Sequence, residues 1–252
     1  MNWQIKELKT RSILSFSDAH SGPKLGREAT VFVSNESNET HESHWTFEDI
    51  SSAIKQDSGA KLKIGFTIEF FPEEGKYHWT GHRACNVRYN AAETKKKGTT
   101  CPVCQRPLTV CVENRVLDLS EKLLTEKDLL MVKNKVGLTF VYDKEKIRKP
   151  FVSMIPLLEV LLELNNHSQT KAQREYERLT TGFGTEFGIL LRKDYGELEK
   201  AGGEKLRQAI EIIRERKVFV DPGYDGVFGK VKIFNEQNEE VKKEEQSQQS
   251  LF

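Results

Sequence analysis

The sequence predicts an α+β protein in which β-rich segments come first and helices follow. Short segments of β-branched and apolar residues occupy the first part of the chain, and from residue 150 apolar residues recur at helical spacing. The four cysteines are confined to residues 85–111, which predicts a separate cysteine-containing β module between these parts. The chain therefore divides into five regions, 1–60, 61–120, 121–149, 150–234 and 235–252.

Region 1–60 is expected to run strand, loop, strand, helix. Residues 13–16 and 29–33 are β-rich, and a loop with glycine and proline lies between them. The polar residues 34–44 predict a mobile loop. Thr46 and Asp49 have the spacing of a capping box, so a helix is expected from there through Ile54.

Regions 61–120 and 121–149 differ in character. The first holds an apolar strand over residues 64–71, the turn Pro-Glu-Glu-Gly at 72–75, and then the cysteines. The second is rich in charge and reads as a connector.

Region 150–234 predicts a mainly helical domain that closes with a small β pair. Leu206, Ala209, Ile210 and Ile213 have the spacing of one buried helical face. The expected helices cover 151–164, 170–180, 186–192 and 204–216, and the expected strands cover 218–220 and 231–234. Region 235–252 is polar and repetitive, which predicts a disordered tail.

Composition is typical of a globular protein. The longest apolar run, residues 154–164, is interrupted by Pro156, Glu159 and Glu163, so no membrane-spanning segment is expected. The N-terminus lacks the apolar core of a signal peptide, which predicts a cytoplasmic protein. The net charge of +1 neither requires nor excludes nucleic acid. The sequence has no Gly-x-x-x-x-Gly-Lys-Ser/Thr loop, so no nucleotide cofactor is expected.

Two short pairs of metal-ligating residues predict a zinc site. His82 and Cys85 form the first pair, and Cys101 and Cys104 form the second, each with a spacer of two residues. Such spacing lets both side chains of a pair curl around one ion, and two pairs complete a closed tetrahedron. Because four protein ligands leave no open position, the zinc is expected to be structural.

The fourth ligand of this site has alternatives. Cys111 and His78 are rivals to His82, and Cys111 is the stronger rival because thiolate binds zinc tightly. Against this, Cys111 lies between Val110 and Val112, a setting typical of a buried core cysteine. The alternative for the whole cluster is a buried pair of free cysteines beside a surface histidine.

Asp18 and His20 follow directly on the apolar segment 13–16. Two side chains two residues apart at a strand end can point toward one metal ion. Taken alone, an Asp-x-His pair more often marks a solvated turn.

Longer motifs occur in a fixed order around this pair. They are Phe-Ser-Asp-Ala-His-Ser at 16–21, Lys-Leu-Gly-Arg-Glu-Ala-Thr at 24–30, Ile-Glu-Phe-Phe-Pro-Glu-Glu-Gly-Lys-Tyr-His at 68–78, Gly-His-Arg at 81–83, Cys-Pro-Val-Cys at 101–104, Gln-Arg-Glu-Tyr at 173–176, Phe-Gly-Thr-Glu-Phe at 183–187 and Pro-Gly-Tyr-Asp-Gly at 222–226. This series, which covers about residues 1–234, resembles the endonuclease Q family of DNA repair nucleases. Those nucleases are built on a PHP (polymerase and histidinol phosphatase) domain.

The resemblance implies that region 1–60 is the remnant of the end of a PHP β/α barrel. The family's barrel carries several metal-ligand motifs at its strand ends, and only the last of them, matching Asp18 and His20, is present here. A barrel of that kind needs roughly 200 residues, yet only about sixty precede the zinc region. We therefore expect the chain to be a C-terminal part of the family's architecture and inactive by itself.

The resemblance also implies a reaction and its contacts. A divalent metal such as Mg²⁺, Mn²⁺ or Zn²⁺ would support hydrolysis of the DNA phosphodiester 5′ of a deaminated base or an abasic site. Lys24 and Arg27 are candidate phosphate contacts, with ordinary surface charge as the alternative. Tyr77 and His78 are candidates for stacking on DNA. Trp79 is a further candidate, but packing in the core would explain it equally well.

Two other functions compete with the repair endonuclease. One is a non-catalytic, zinc-containing DNA-binding module. The other is a different PHP-type phosphoesterase acting on a small phosphate ester, which the zinc module and helical domain disfavour because a small substrate does not require them.

The extreme C-terminus predicts a protein partner. Gln248, Leu251 and Phe252 end the polar tail, and this pattern resembles the short peptide by which bacterial repair and replication proteins bind the sliding clamp. The alternative is a chance apolar end on a solvated tail.

Overall fold

The computed structural model describes residues 1–35, 44–120, 124 and 126–234. Its strands are β1 (Ala29–Ser34), β2 (Leu62–Glu69), β3 (Thr80–His82), β4 (Val87–Tyr89), β5 (Leu129–Lys133), β6 (Thr139–Asp143), β7 (Phe151–Ser153), β8 (Phe219–Asp221) and β9 (Lys230–Lys232). Its helices are α1 (Phe47–Lys55), α2 (Ala91–Lys97), α3 (Val112–Leu119), α4 (Leu157–Leu164), α5 (Gln169–Phe183), α6 (Glu186–Leu191) and α7 (Tyr195–Arg214).

A five-stranded mixed sheet connects regions that the sequence separates. Its order is β1-β2-β7-β6-β5, with β2 and β7 parallel and the other neighbours antiparallel. The expected α+β class is confirmed. Strands β5 and β6 lie within 121–149, so this range supplies part of the central sheet in addition to joining the regions on either side.

The N-terminal segment departs from the predicted strand at 13–16. Among the described residues, the chain there pairs with no other strand, and both backbone polar groups of Ser15 bond to the Thr30 hydroxyl instead. Ser15 N–H donates to Thr30 Oγ1 at 2.9 Å, and that hydroxyl donates to Ser15 O at 3.0 Å. Helix α1 matches its prediction: the Thr46 and Asp49 side chains accept reciprocally from each other's backbone N–H. The predicted loop at 34–44 falls mostly outside the described residues.

The main core lies between the sheet and the helices of region 150–234. Leu157, Val160 and Leu161 of α4 are fully buried, and Ile68 and Val152 contribute from β2 and β7. The face predicted for the last helix is confirmed, because Leu206, Ala209, Ile210 and Ile213 of α7 are each at most 1% exposed. No helix within the described ranges is long and apolar enough to cross a bilayer.

Two predicted helices have different bounds. The helix expected over 151–164 begins only at Leu157, because Pro156 forces the preceding residue toward extended backbone and Phe151–Ser153 pair with β2 instead. Helix α7 begins at Tyr195, before the helix expected over 204–216, where Asp194 and Glu197 form a capping box. A break at Gly203, with φ of 79°, divides α7 in two, and its second part begins after this break, as expected.

Candidate metal centre and nucleic-acid interface

Four side chains converge at one end of the cysteine-containing module. The ligand atoms of His82, Cys85, Cys101 and Cys104 all lie within 4.8 Å of one another. His82 ends β3, and Cys85 closes the short 3₁₀ turn that follows it. The Cys104 Sγ lies 3.3 Å from the His82 Nδ1. These four side chains could hold a metal ion, and one histidine with three cysteines is a ligand set typical of tetrahedral zinc sites.

Two tight turns create this convergence. After Cys85, Asn86 adopts the left-handed region at φ of 51°, and the chain returns as β4, which pairs with β3. At the second pair, Gln105 N–H donates to Cys101 O at 3.0 Å, and Gln105 itself has φ of 60°. Each pair of ligands is therefore held by a reversal of the backbone.

The cysteines of the cluster differ in acidity. Burial acts to raise the pKa of Cys101, but hydrogen bonds from the backbone N–H groups of Cys104 and Val103 and from His82 outweigh it and lower this pKa to about 6. Burial, followed by hydrogen bonds to Cys104 and Cys101, raises the pKa of Cys85 to about 11. The first thiolate therefore forms at Cys101, and a cation at the centre would stabilise the further negative charge that its neighbours otherwise oppose.

Cys111 and His78 lie outside this cluster. Cys111 is 3% exposed; its sulfur accepts from the Thr80 hydroxyl at 3.3 Å and from Asn114 N–H at 3.4 Å, where it caps α3. The structure therefore favours His82 as the fourth ligand. His78 is 7% exposed, so its ring is covered in this structure and the expected stacking on DNA would require it to become exposed.

Asp18 and His20 are exposed in a loop. Asp18 has φ of 45°, and His20 Nδ1 lies 2.8 Å from the Asp18 carbonyl oxygen. The Ser17 hydroxyl closes this loop by accepting from Gly26 N–H and donating to the Glu28 carbonyl. Within the described part of the chain, no third ligating side chain joins Asp18 and His20 in a metal-sized group.

Both predicted phosphate contacts have acidic partners within the chain. Lys24 Nζ lies 2.9 Å from a Glu159 carboxylate oxygen, and the Lys24 side chain is about half exposed. Arg27 Nη2 lies 2.8 Å from Glu74 Oε2 and its guanidinium stacks over Phe70. Burial raises the pKa of Glu74, and the charge of Arg27 opposes that rise.

The sequence predicts a turn over residues 221–226 within the C-terminal β pair, but it does not predict that this turn contacts the metal module. Tyr224 and Val227 exchange both backbone hydrogen bonds, and Asp225 and Gly226 have φ of 44° and 82°. These are the marks of a type I′ turn, for which Asp-Gly is a preferred sequence. The Asp225 carboxylate accepts from Arg83 N–H at 2.7 Å and from the Thr109 hydroxyl at 2.5 Å. The Asp-Gly dipeptide was the available signal.

Comparisons with known proteins give one consistent picture. No protein-family model matches the chain. The uncharacterized protein MJ0043 of Methanocaldococcus jannaschii is 31% identical over 231 residues, 90% of this chain and 26% of that protein. The uncharacterized protein YqxK of Bacillus subtilis is 24% identical over 230 residues, 90% of this chain and 48% of that protein. The chain thus spans at most about half the length of these curated relatives.

Two solved structures cover most of the chain. One is the lesion-specific endonuclease PfuEndoQ from Pyrococcus furiosus, with a TM-score of 0.71 at 26% identity. The other is endonuclease Q in complex with a 27-mer duplex carrying an abasic lesion at the active site, with a TM-score of 0.69 at 26% identity. Each covers 92% of this chain, which in turn spans 52% of each of those chains.

Proposed function

We propose that this chain, which is endonuclease Q-like in fold, forms the DNA-binding part of a lesion-specific DNA endonuclease and is stabilised by a bound metal ion. The proposed reaction is hydrolysis of the phosphodiester 5′ of a deaminated base or an abasic site. The observation that carries the proposal is the similarity over 92% of the chain to an endonuclease Q bound to a duplex with an abasic lesion.

The cysteine cluster serves folding in this proposal. His82, Cys85, Cys101 and Cys104 supply four ligands, which fill a tetrahedral zinc site and leave no position for water or substrate. Cys101 is fully buried, so the sulfur is shielded from reagents in solution. Zinc bound here would contribute directly to the stability of the module.

Asp18 and His20 belong to a different site in the proposal. They would be two ligands of a catalytic centre, where Mg²⁺, Mn²⁺ or Zn²⁺ supplies an activated water and stabilises charge on the phosphoryl oxygens. Catalytic zinc sites commonly use three protein ligands for one ion, and this pair supplies only two. The 252-residue chain alone is therefore proposed to bind DNA without cutting it.

The DNA contacts divide into mobile and fixed side chains. Lys24 is half exposed and its surface ion pair with Glu159 is weak, so it can turn to a phosphate at little cost. Arg27 is more buried and holds Glu74, which suits a positioning role. Tyr77 is 45% exposed beside the metal module and is available for stacking.

A sliding clamp is the proposed protein partner. Gln248, Leu251 and Phe252, which would insert into a pocket of the clamp, lie outside the described residues. The proposal rests on the sequence pattern alone.

The test uses labelled duplexes that are identical except for one abasic site, uracil or hypoxanthine. We expect the purified chain to bind the abasic duplex, more weakly as salt rises because phosphate contacts release counterions. We expect no strand cleavage in the presence of manganese. Failure to bind any of these duplexes would overturn the DNA-directed function, whereas robust manganese-dependent nicking would overturn only the proposed inactivity.

A further inference from the structure

Two exposed aromatic rings flank one cationic side chain beside the metal cluster. Tyr77 is 45% exposed and Phe228 is 68% exposed. The Lys76 Nζ lies 5.6 Å from the centroid of each ring. We call Lys76, Tyr77 and Phe228 the aromatic-cation surface. Large aromatic side chains left in solvent next to a cation are a common feature of surfaces that stack on nucleotide bases.

The backbone that carries this surface is fixed. Gly223 N–H donates to Glu73 O at 2.8 Å, Gly226 N–H to Lys76 O at 2.9 Å, and Gly229 N–H to Glu74 O at 3.0 Å. These three hydrogen bonds join the backbone on both sides of Phe228 to the segment that carries Lys76 and Tyr77.

Two glycines make that approach possible. A Cβ at Gly229 would lie 2.0 Å from Glu73 O, and one at Gly223 would lie 2.5 Å from Gly75 O. Only glycine allows the two segments to lie so close. The two rings are therefore mounted on a preorganised scaffold, which reduces the entropy lost when a ligand binds.

The metal cluster is connected to the same surface. Arg83 lies between the ligands His82 and Cys85, and its backbone N–H donates to the Asp225 carboxylate at 2.7 Å. A Cβ at Gly226 would lie 3.5 Å from Arg83 Nη1 and 4.0 Å from the Tyr77 hydroxyl. A second cation therefore stands at the edge of the aromatic-cation surface.

Two carboxylates near this surface, those of Asp225 and Glu74, are already engaged. The Asp225 carboxylate accepts from Arg83 N–H and from the Thr109 hydroxyl. The Glu74 carboxylate pairs with Arg27. Lys76 and Arg83 thus give the surface a positive edge that suits a phosphodiester.

We propose that the aromatic-cation surface stacks on a base left unpaired at a lesion, while Lys76 and Arg83 contact the flanking phosphates. The inference rests on the proposed function, since it assigns a recognition element to the same DNA. An unpaired nucleotide fits because its base offers an apolar face to a ring and the flanking phosphates offer negative charge to the two cations. An intact duplex keeps its bases stacked in the helix and presents no such face.

The experiment compares binding to two duplexes that differ only in whether one base faces its partner or an abasic analogue. Binding is measured by fluorescence anisotropy for wild type, Phe228→Ala, Phe228→Leu and Phe228→Trp. A base stacked on an aromatic ring changes affinity by about tenfold or more. We expect Phe228→Ala and Phe228→Leu to lose about tenfold on the abasic duplex and less than about twofold on the intact one, with Phe228→Trp close to wild type.

The matched control is Phe47→Ala, because Phe47 is an equally exposed phenylalanine, 79% accessible, on helix α1. It is expected to leave both affinities unchanged. Equal losses for Phe228→Ala and Phe47→Ala, or full affinity in Phe228→Leu, would overturn the stacking site while leaving DNA binding intact. Absence of wild-type binding to either duplex would overturn the proposed function and the stacking site together.

A second measurement reports on the base itself. With 2-aminopurine placed opposite the abasic analogue, stacking on a ring changes its fluorescence. We expect wild type and Phe228→Trp to produce this change and Phe228→Leu to lack it. The same response from all three proteins would contradict the inference.

Discussion

Arg27 donates to the Glu74 carboxylate at 2.8 Å, and both side chains are largely shielded from water, at 27% and 13% exposure. This ion pair joins the loop that follows Asp18 and His20 to the short 3₁₀ turn Pro72–Glu74. The same turn accepts backbone hydrogen bonds from Gly223 and Gly229, which lie on either side of Phe228. The ion pair of Arg27 with Glu74 thus connects the loop that carries the candidate metal ligands to the turn that supports the aromatic-cation surface.

Arg27→Ala is expected to destabilise the protein by about 2 kcal/mol near neutral pH, because it leaves a buried carboxylate without its partner. The pKa of Glu74 is already raised by burial, and loss of Arg27 raises it further. Ionisation of Glu74 therefore lowers the free energy of unfolding. This loss is fully present above the folded pKa of Glu74 and absent below the ordinary value of 4.5. The penalty of Arg27→Ala should shrink as pH falls from about 7 toward that value, as measured by urea unfolding.

The matched control for this prediction is Lys24→Ala. Lys24 makes an ion pair of similar length with Glu159 but is about half exposed, so its loss should cost less than about 0.5 kcal/mol at any of these pH values. A double variant, Arg27→Ala with Glu74→Gln, should recover part of the lost stability. Equal, pH-independent effects of the two single variants would contradict the assignment.

Zinc content is expected to be one ion per chain. Cys101→Ser and Cys104→Ser should each lose the metal in elemental analysis, and the wild type should unfold at a lower temperature after chelation. Cys111→Ala should keep its metal and lose about 1 kcal/mol of stability, because its sulfur caps α3 in a buried position. Retention of zinc by His82→Ala, together with its loss from Cys111→Ala, would reverse the assignment of the fourth ligand.

The sequence predicts those features whose causes are local. The Thr46 and Asp49 capping box and the two pairs of metal-ligating residues each depend on neighbours a few residues apart, and the structure brings those groups together. Residues 151–153 are predicted to begin a helix, but they form strand β7. Their conformation is decided by pairing with β2, which lies more than 80 residues earlier in the chain.

Local sequence patterns do not predict contacts between residues that are distant in the chain. Nothing near Arg27 in sequence indicates that it would meet Glu74, and nothing near Asp225 indicates that it would accept from Arg83. His78 is likewise buried, and its carbonyl oxygen accepts from the N–H of Glu113, 35 residues later in the chain.

Arg214 is expected to be a structural residue despite its charge. It is fully buried in α7, and its guanidinium donates to the carbonyl oxygens of Leu190, Val136, Ile189 and Lys193 at 2.8 to 3.2 Å. Arg214→Met should cost about 3 kcal/mol, because these buried acceptors lose their donor. The matched control is Arg207→Met on the same helix, because Arg207 bonds only to the more exposed carboxylates of Glu204 and Glu211 among its close contacts; the expected cost is below about 1 kcal/mol in the same unfolding assay.

Asp18 is expected to matter for cleavage and not for folding. In a protein that combines this chain with the further ligands of a PHP barrel, Asp18→Ala should abolish metal-dependent nicking of an abasic duplex. Its zinc content and thermal stability should match wild type, because Asp18 is exposed and lies outside the cysteine cluster. A parallel loss of zinc or stability would show that Asp18 acts through the fold.

The tail is expected to bind a sliding clamp through its last residues. A synthetic peptide of residues 243–252 should bind a bacterial clamp with a Kd on the order of micromolar, because adjacent Leu251 and Phe252 supply two apolar anchors and Gln248 can hydrogen-bond at the rim of a pocket. The double variant Leu251→Ala with Phe252→Ala removes the anchors and should abolish binding in calorimetry. A peptide with Glu245→Ala is the control and should bind as wild type, since the interaction is expected to depend on the final residues. No detectable binding of the wild-type peptide at about 100 μM would exclude the tether, because contacts weaker than this contribute little at cellular concentrations.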